Sequence, residues 1–341
     1  MLIVMKPDAD ARQIERVNAK VRELGYTPHP IRGDSRVAVC VTGNAEAVDP
    51  RVFFALPGVK ELIPVTQPYK LTSRELKPES TIVRVAGVEV GGPDPVVIAG
   101  PCSVENDEQT LSTARRVRDA GAMMLRGGAF KPRTSPYSFQ GLGRRGLEIL
   151  DQARRDTGLP IVSEAIDTES FDLVEEHVDL IQIGSRNMQN YSLLKRAGRS
   201  AKPVLLKRWM SGTFKEFLLA AEYIMSEGNP NVILCERGIR AFSDYSRFTL
   251  DITIVPELKQ RTHLPIMVDP SHAAGKRELV IPLARAALAA GADGILVEVH
   301  PQPERALSDG PQALTFEMFD TMMRELRLLA PALRESTVTA G

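Results

Sequence analysis

The chain has 341 residues, which is enough for about two domains and a large buried core. Its 43 Lys and Arg residues balance its 43 Asp and Glu residues, and this zero formal charge excludes a general attraction to nucleic acid or to an anionic membrane. The content of hydrophobic residues, 43%, is typical of a globular protein, and no apolar run approaches the ~18 residues of a membrane span. Three widely spaced cysteines indicate no disulfide framework, so we expect a cytoplasmic protein.

The first 70 residues predict a small α+β domain. LIVMK (residues 2–6) predicts a strand, and Asp8–Leu24 an amphipathic helix that Gly25 ends. HPIRG and RVAVCVTG predict a hairpin around Gly33 and Asp34, after which residues 50–56 predict a short helix and residues 59–65 a last strand. The order βαββαβ is that of a ferredoxin-like domain.

A different pattern of predicted elements begins after the polar, proline-containing residues 67–80, which predict a linker. Residues 81–92, TIVRVAGVEVGG, predict a hairpin that closes the bottom of the domain that follows. From residue 96 onward short apolar strands alternate with amphipathic helix patterns, which is typical of a (β/α)8 barrel of ~250 residues. We therefore expect a ferredoxin-like domain over residues 1–70, a linker and hairpin over 71–93, and a barrel over 94–341. The eight predicted strands are residues 96–100, 122–127, 160–165, 179–184, 203–207, 231–236, 265–269 and 294–299.

Basic residues collect at the carboxyl ends of these strands, the end at which barrel enzymes build their active sites. A group of like charges is unfavourable unless an anion binds among them, so the group predicts a small, highly anionic substrate. Arginine suits phosphate and carboxylate oxygens, and lysine acts as a point charge. Lys207 could also form a Schiff base with a carbonyl substrate, although its cationic neighbours favour anion binding. The six cations are Arg126, Lys131, Arg133, Arg186, Lys207 and Arg237.

A second set of residues, Cys102, His272, Glu298 and Asp309, follows strands 1, 7 and 8 of the predicted barrel. Strands 8 and 1 are neighbours in a closed barrel, so these side chains can meet. One thiolate, one imidazole and two carboxylates are compatible with a divalent transition metal such as Mn, Fe, Co, Zn or Cu. The spacing leaves three other interpretations open: a buried apolar cysteine, a hydrogen-bonded neutral histidine and a turn-forming aspartate. Glu164 and Glu236 are candidate partners or proton carriers of the site.

Long motifs along the whole barrel resemble those of the 3-deoxy-D-arabino-heptulosonate 7-phosphate (DAHP) synthase family. The N-terminal domain resembles the ferredoxin-like regulatory domain of the type I-beta branch. This resemblance implies a transferase of the shikimate pathway of aromatic amino-acid biosynthesis, which condenses phosphoenolpyruvate (PEP) with D-erythrose 4-phosphate and releases phosphate. The motifs are GPCS (100–103), LRGGAFKPRTSP (125–136), GSRNMQN (184–190), LLKRWMSGT (205–213), ERGIR (236–240), DPSHAAGKR (269–277) and EVHP (298–301).

The resemblance also implies roles for the site residues. PEP would be held by Arg126, Lys131, Arg186, Lys207 and Arg237. Arg133 and Thr134 would bind the phosphate of the aldose. A divalent metal ion, whose identity among Mn, Co, Fe and Zn stays open, would be held by Cys102, His272, Glu298 and Asp309. The residues implied in catalysis are Arg126, Lys131, Glu164 and His272, and the proton of the attacking water would be handled by Lys131, by Glu164 or by the PEP phosphate.

For the N-terminal domain the resemblance implies a homotetramer that is feedback-inhibited by tyrosine or phenylalanine. The nearest alternative is 3-deoxy-D-manno-octulosonate 8-phosphate synthase, which uses arabinose 5-phosphate and usually has a KANRS-like segment where this chain has KPRTS. A metal-independent Schiff-base aldolase and an amino-acid sensor with an inactive barrel are more distant alternatives. An RNA-binding interpretation of the N-terminal domain lacks the aromatic residues that stack on bases, since RVAVCVTG has none.

Overall fold

The computed structural model describes residues 1–32, 37–43, 48–63 and 68–338. The chain divides into two compact units, Met1–Glu79 and Ser80–Gly341. The predicted turn at Gly33 and Asp34, and the ends of the predicted last strand and linker at Val65 and Gln67, lie outside the described residues. In the part of the chain that is described, no helix combines the length and the apolar composition needed to cross a membrane.

The N-terminal unit is the predicted ferredoxin-like α+β domain. Its four strands form one antiparallel sheet in the order β2-β3-β1-β4, in which β1 lies at the centre and pairs Ile3 with Val39 on one side and with Leu62 on the other. The elements in chain order are β1 (Leu2–Met5), α1 (Ala11–Glu23), β2 (Thr27–Arg32), β3 (Val37–Thr42), α2 (Arg51–Phe54) and β4 (Val59–Ile63).

Local sequence explains why α1 forms and where it packs. Asp10 caps its N-terminus: the Asp10 carboxylate accepts a hydrogen bond from the backbone N–H of Gln13, and the Gln13 side chain accepts one from the backbone N–H of Asp10. Its apolar stripe buries Val17 and Val21 against the sheet, in one cluster with Phe53 of α2. The unit therefore has a hydrophobic core of its own.

The C-terminal unit is the predicted (β/α)8 barrel, and every predicted strand is present. Eight parallel strands close into one barrel in which the last strand pairs with the first: Glu298 lies opposite Gly100. The strands are buried along their full length, which explains their continuous apolar sequences. They are β7 (Val96–Gly100), β8 (Met124–Arg126), β9 (Ile161–Ala165), β10 (Leu180–Ile183), β11 (Val204–Lys207), β12 (Val232–Glu236), β13 (Ile266–Val268) and β14 (Gly294–Glu298).

Helices surround the barrel, and several begin at side-chain caps that the sequence supplies. Thr213 and Glu216 form a capping box at the start of α7, and Gly121, with a φ of 96°, ends α3 in the left-handed conformation. The helices are α3 (Asp107–Ala120), α4 (Arg144–Thr157), α5 (Thr168–His177), α6 (Tyr191–Gly198), α7 (Phe214–Ser226), α8 (Ile254–Arg261), α9 (Pro270–Ala274), α10 (Arg277–Ala289) and α11 (Phe316–Val338).

A hairpin of β5 (Val83–Val85) and β6 (Val88–Val90) precedes the barrel, as the alternating sequence predicts. Ala86 and Gly87 both have a positive φ, 44° and 92°, which matches the twist of a tight hairpin turn. The buried valines of the hairpin belong to the same hydrophobic cluster as the residues that fill the barrel. The backbone N–H of Thr81 also donates to His263 O, just before β13 begins, so the hairpin closes the amino-terminal end of the barrel.

Candidate active site

The carboxyl ends of the barrel strands surround a cavity of about 560 Å³. Arg126, Lys207 and Glu298 are the last residues of β8, β11 and β14, so the parallel barrel brings them to one rim. All seven residues predicted to bind substrate line this cavity, as do Glu164, His272 and Asp309. Cys102 and Glu298 lie beside it with their side chains buried. The barrel therefore brings the predicted site residues together.

The four predicted metal ligands form one cluster. Cys102, His272, Glu298 and Asp309 each offer a ligand atom, and these atoms lie within 4.8 Å of one another. The Cys102 thiol donates to Asp309 Oδ2 at 3.3 Å, and His272 Nε2 lies 3.2 Å from Glu298 Oε1. A sulfur, a nitrogen and two carboxylate oxygens are a donor set that suits a divalent transition metal.

The orientation of His272 also fits a metal ligand. Asp269 Oδ1 accepts a hydrogen bond from the backbone N–H of His272 at 2.9 Å. Asp269 Oδ2 accepts a second one from the ring N–H at Nδ1, at 2.6 Å. This hydrogen bond leaves the lone pair of Nε2 facing Glu298 Oε1, another lone-pair atom. Two lone pairs at this distance need a proton or a metal ion between them. Asp269 also accepts from Lys207 Nζ, which joins the cluster to the basic residues.

Burial affects the protonation states of two predicted ligands, Cys102 and His272. It raises the pKa of the Cys102 thiol to about 12, and the neighbouring Glu298 carboxylate raises it too, against the opposing effect of Lys131. Burial also lowers the pKa of His272, against the pull of Asp269 and Glu298, which favours the neutral imidazole that metals bind. A metal ion that binds Cys102 therefore displaces a proton.

A short network of hydrogen bonds holds the two carboxylate ligands, Glu298 and Asp309. Glu298 Oε1 accepts from Arg126 Nη1 at 3.0 Å, and Glu298 Oε2 accepts from Gln312 Nε2 at 2.6 Å. Arg247 Nη1 donates both to Gln312 Oε1 and to Asp309 Oδ1, each at 3.2 Å. Sequence reasoning missed Gln312 and Arg247, because their role follows from contacts between loops distant in the chain. It also gave no role to Asp269, although Asp269 lies three residues before His272 in the DPSHAAGKR motif.

The cations of the cavity divide into a buried and a rim group. Arg126, Lys207 and Arg237 are each 4% exposed, and Lys131 is 8% exposed. Within the described chain, Arg126 Nε and Arg237 Nη1 are buried donors without a hydrogen-bond partner. A buried donor without a partner is unfavourable, and an anion in the cavity would satisfy both. The deep part of the cavity is therefore built for an anion.

At the rim, Arg186 is exposed and donates to Pro132 O at 2.6 Å and to Thr134 Oγ1 at 3.3 Å. It therefore lies beside the KPRTS segment that contains Arg133 and Thr134. Arg240 and Arg247 also line the cavity, which brings the number of its cations to eight. Sequence reasoning assigned no role to these two arginines, since both lie in the loop after β12 rather than at a strand end.

Glu164 on β9 accepts a hydrogen bond from Gln182 Nε2 at 3.0 Å and lines the cavity. Gly184 of the GSRN motif makes this position possible, because a Cβ on residue 184 would overlap the Glu164 carboxylate. Glu236, the other candidate carboxylate, does not line the cavity. It is buried, accepts from Arg208 at 3.1 Å and from the backbone N–H of Gly238, and so has a structural role in the loop that follows.

Fold and site together define a (β/α)8-barrel enzyme with a cationic cavity and a cluster of four potential metal ligands. The family model of the DAHP synthetase I family matches residues 72–333, and that of the DAHP synthase ferredoxin-like domain matches residues 1–67. The chain therefore belongs to the DAHP synthase family and is a transferase of the 3-deoxy-7-phosphoheptulonate synthase type.

Known relatives agree with this assignment. A phospho-2-dehydro-3-deoxyheptonate aldolase of Thermotoga maritima is 48% identical over 98% of both chains, and the crystal structure of an aldolase with that name from the same organism covers 97% of both chains with a TM-score of 0.78. A truncated DAHP synthase of T. maritima is 50% identical over 78% of this chain, with a TM-score of 0.73. A 2-dehydro-3-deoxyphosphooctonate aldolase of Syntrophotalea carbinolica is more distant, at 34% identity over 75% of this chain.

Proposed function

We propose that the chain condenses PEP with D-erythrose 4-phosphate, in a metal-dependent reaction that yields DAHP and inorganic phosphate. The observation that supports this most strongly is the meeting of a four-ligand cluster with eight cations in one cavity. The two substrates bring two phosphates and one carboxylate, which need several cations. The aldehyde needs an electrophilic partner for its oxygen, and the cluster offers a place for one.

PEP occupies the deep part of the cavity in this proposal. Arg126, Lys131, Lys207 and Arg237 surround its carboxylate and phosphate, and Arg186 closes the site from the rim. The partnerless donors of Arg126 and Arg237 support this placement, since a carboxylate or a phosphate would satisfy both. The cavity thus fixes PEP by its charged ends and leaves its C3 carbon free to react.

Erythrose 4-phosphate lies nearer the rim, with its phosphate on Arg133 and Thr134. Both substrates are then held by their anionic groups, which converts an encounter in solution into a reaction between positioned partners. Cys102, His272, Glu298 and Asp309 would hold the divalent metal ion, which when bound supplies a Lewis acid for the aldehyde oxygen. C3 of PEP attacks the aldehyde carbon, water adds at C2, and the C2–O bond breaks to release phosphate.

The proton of that water must be accepted near C2. Lys131 Nζ donates to Cys102 Sγ at 3.1 Å, and Glu164 lies on the adjacent strand at the same end of the barrel. Lys131 holds a proton close to the reacting atoms, whereas the Glu164 carboxylate can accept one. The PEP phosphate is the third candidate. Burial lowers the pKa of Lys131, but its neighbours Cys102 and Glu164 raise it above its ordinary value, so Glu164 and the substrate itself are better acceptors than Lys131.

A metal-removal experiment tests the proposed reaction. Protein treated with a chelator is assayed for DAHP and phosphate with PEP and erythrose 4-phosphate, and again after addition of Mn²⁺, Co²⁺, Fe²⁺ or Zn²⁺. We expect activity to disappear with the metal and to return with at least one of these ions. A parallel assay with arabinose 5-phosphate should give little product. Full activity without metal, or a preference for arabinose 5-phosphate, would contradict the proposal.

We also propose that the N-terminal unit regulates the barrel. None of the residues assigned to chemistry lies before Cys102, so the unit of residues 1–79 serves another purpose. The match of residues 1–67 to the DAHP synthase ferredoxin-like domain supports a binding site there for tyrosine or phenylalanine, in a homotetrameric, feedback-inhibited enzyme. Regulation of this kind requires an effector that binds one state of the enzyme more tightly than another.

A further inference from the structure

The fourth metal ligand, Asp309, lies on a long loop between β14 and α11. The two ends of this loop are joined, since the backbone N–H of His300 donates to Leu314 O and that of Leu314 to Glu298 O. Asp309 itself has a φ of 48° and a ψ of 33°, a left-handed conformation that is unfavourable for most residues other than glycine. The loop therefore needs further contacts to hold Asp309 in place.

Those contacts come from the loop after β7, which contains Cys102. Glu105 Oε1 accepts the backbone N–H of Leu307 at 2.8 Å, and Glu105 Oε2 lies 3.4 Å from His300 Nε2. Two buried hydroxyls, those of Ser103 and Ser308, share a hydrogen bond of 2.5 Å. We call the four residues that join the loops by their side chains the loop clamp: Ser103, Glu105, His300 and Ser308.

The loop clamp contains a carboxylate and a histidine that are both buried and face each other. The backbone N–H of Gln302 donates to His300 Nδ1 at 3.0 Å, so a neutral His300 carries its proton on Nε2 and donates it to Glu105. The side chains of Glu105 and His300 are each 7% exposed, and within the described chain no Lys or Arg pairs with Glu105. The Leu307 N–H and the His300 ring satisfy the buried Glu105 carboxylate, which therefore joins the two loops.

We propose that Glu105 is a positioning residue for the metal site: through the clamp it holds the Asp309 carboxylate against Cys102. Glu105 lies three residues after Cys102, and Leu307 lies two residues before Asp309. The hydrogen bond from the Leu307 N–H to Glu105 thus fixes the loop of Cys102 to the loop of Asp309, close to the point where Cys102 Sγ and Asp309 Oδ2 are 3.3 Å apart. This inference rests on the metal site of the proposed function.

Metal affinity tests the clamp without using enzyme activity. Metal-free full-length protein is titrated with Co²⁺, and binding is followed by calorimetry and by the thiolate-to-cobalt absorption that reports the bond to Cys102. For Glu105→Ala we expect the Kd for Co²⁺ to rise about tenfold to a hundredfold. The rise should be smaller for Glu105→Gln, because an amide oxygen can still accept the Leu307 N–H. Complete loss is not expected, since Arg247 and Arg277 also hold the loop near Asp309.

Glu108→Ala is the matched control, because Glu108 is an exposed glutamate at the start of α3 on the same segment. It should leave the Kd for Co²⁺ and the absorption unchanged. Ser308→Ala, which breaks the buried hydroxyl pair, should weaken Co²⁺ binding too. If Glu105→Ala does not fold, Ser308→Ala and Glu105→Gln are the variants that test the clamp.

Two results would overturn the clamp. A Kd within twofold of the original chain, in variants whose melting temperature has fallen, would show that Glu105 only stabilises the loops. Failure of the unmodified chain to bind Co²⁺ through a thiolate would overturn the metal site of the proposed function as well. The two failures are distinguishable, because the first leaves metal binding by the unmodified chain intact.

Discussion

Cys102 and Cys235 are two buried thiols of one barrel with different surroundings. Burial raises the pKa of each to about 12, yet only Cys102 lies among metal ligands, whereas Cys235 belongs to the hydrophobic cluster that fills the barrel. Neither thiol is reactive without an external partner, because the thiolate is the nucleophilic form. The proposed metal ion would be that partner for Cys102, whose neighbours His272, Glu298 and Asp309 offer the other ligand atoms.

Substitution of the two cysteines separates these roles. Cys102→Ser should weaken binding of Zn²⁺ or Co²⁺ about a hundredfold or more, because a hydroxyl is a poorer ligand than a thiolate for these ions. Cys235→Ser should lower stability and leave metal affinity close to that of the original chain. Calorimetric titration with Zn²⁺ measures both affinities. Equal losses of affinity in the two variants would contradict the assignment of Cys102 as a ligand.

The arginines of the cavity allow a similar separation of the two substrates. Arg237→Ala removes a buried cation of the deep group and should impair mainly the use of PEP, whereas Arg133→Ala should raise mainly the KM for erythrose 4-phosphate. Each loss of a charge-assisted contact should cost about 1.5–3 kcal/mol, or roughly 10- to 150-fold in kcat/KM. Steady-state kinetics with each substrate varied in turn measures the effect. The assignment fails if both variants affect the two substrates equally.

At the scale of elements, the loop after β12 depends on a buried ion cluster. Arg208 Nη1 donates to Glu236 Oε2 at 3.1 Å and to Asp251 Oδ2 at 2.8 Å, so one guanidinium joins the start of the loop to its end. Burial raises the pKa of Glu236, and Arg208 opposes that rise. The cluster matters for function because this loop contains Arg237, Arg240 and Arg247.

Arg208→Ala should therefore destabilise the barrel by about 3–5 kcal/mol, because it leaves two carboxylates without their cation. Arg199→Ala is the matched control: Arg199 pairs with Glu227 at 2.9 Å but is 64% exposed, so its loss should cost less than about 1 kcal/mol. Urea unfolding followed by the fluorescence of Trp209, the single tryptophan of the chain, compares the two variants. Similar midpoints would show that the cluster adds no net stability.

The elements themselves could be predicted from the sequence, because each barrel strand is a short apolar run and each helix pattern has a period near 3.6 residues. The four predicted metal ligands and the six predicted cations, which the barrel brings together, were proposed from strand ends and motifs. Gln312, Arg247 and Glu105 could not be predicted, because each acts through a contact with another loop. Such contacts depend on loop conformation, for example on the left-handed Asp309, which local sequence does not determine. Asp269 acts locally on His272, three residues further on, but its spacing alone does not separate a helix cap from a partner of the histidine ring.

At the scale of the whole molecule, chemistry and regulation are proposed to belong to separate units. A variant that lacks residues 1–72 keeps every residue assigned to the active site. It should therefore retain activity and lose inhibition by tyrosine and phenylalanine, with the full-length chain as its control. Activity at increasing effector concentration measures this. Equally strong inhibition of the shortened and full-length chains would place the effector site in the barrel.

The hairpin of β5 and β6 bears on how substrates reach the cavity. Side chains fill the barrel interior and the hairpin covers its amino-terminal end, so we expect substrates and products to enter and leave the cavity at the carboxyl ends of the strands. A molecule bound on Arg133 and Thr134 at that rim would block the path to the buried Arg126 and Lys207 behind it. PEP should therefore bind first and erythrose 4-phosphate second. Initial-velocity patterns with product inhibitors would reveal this ordered binding. With one end of the barrel filled and covered, the different depths of the two sites below the open end set the order of binding.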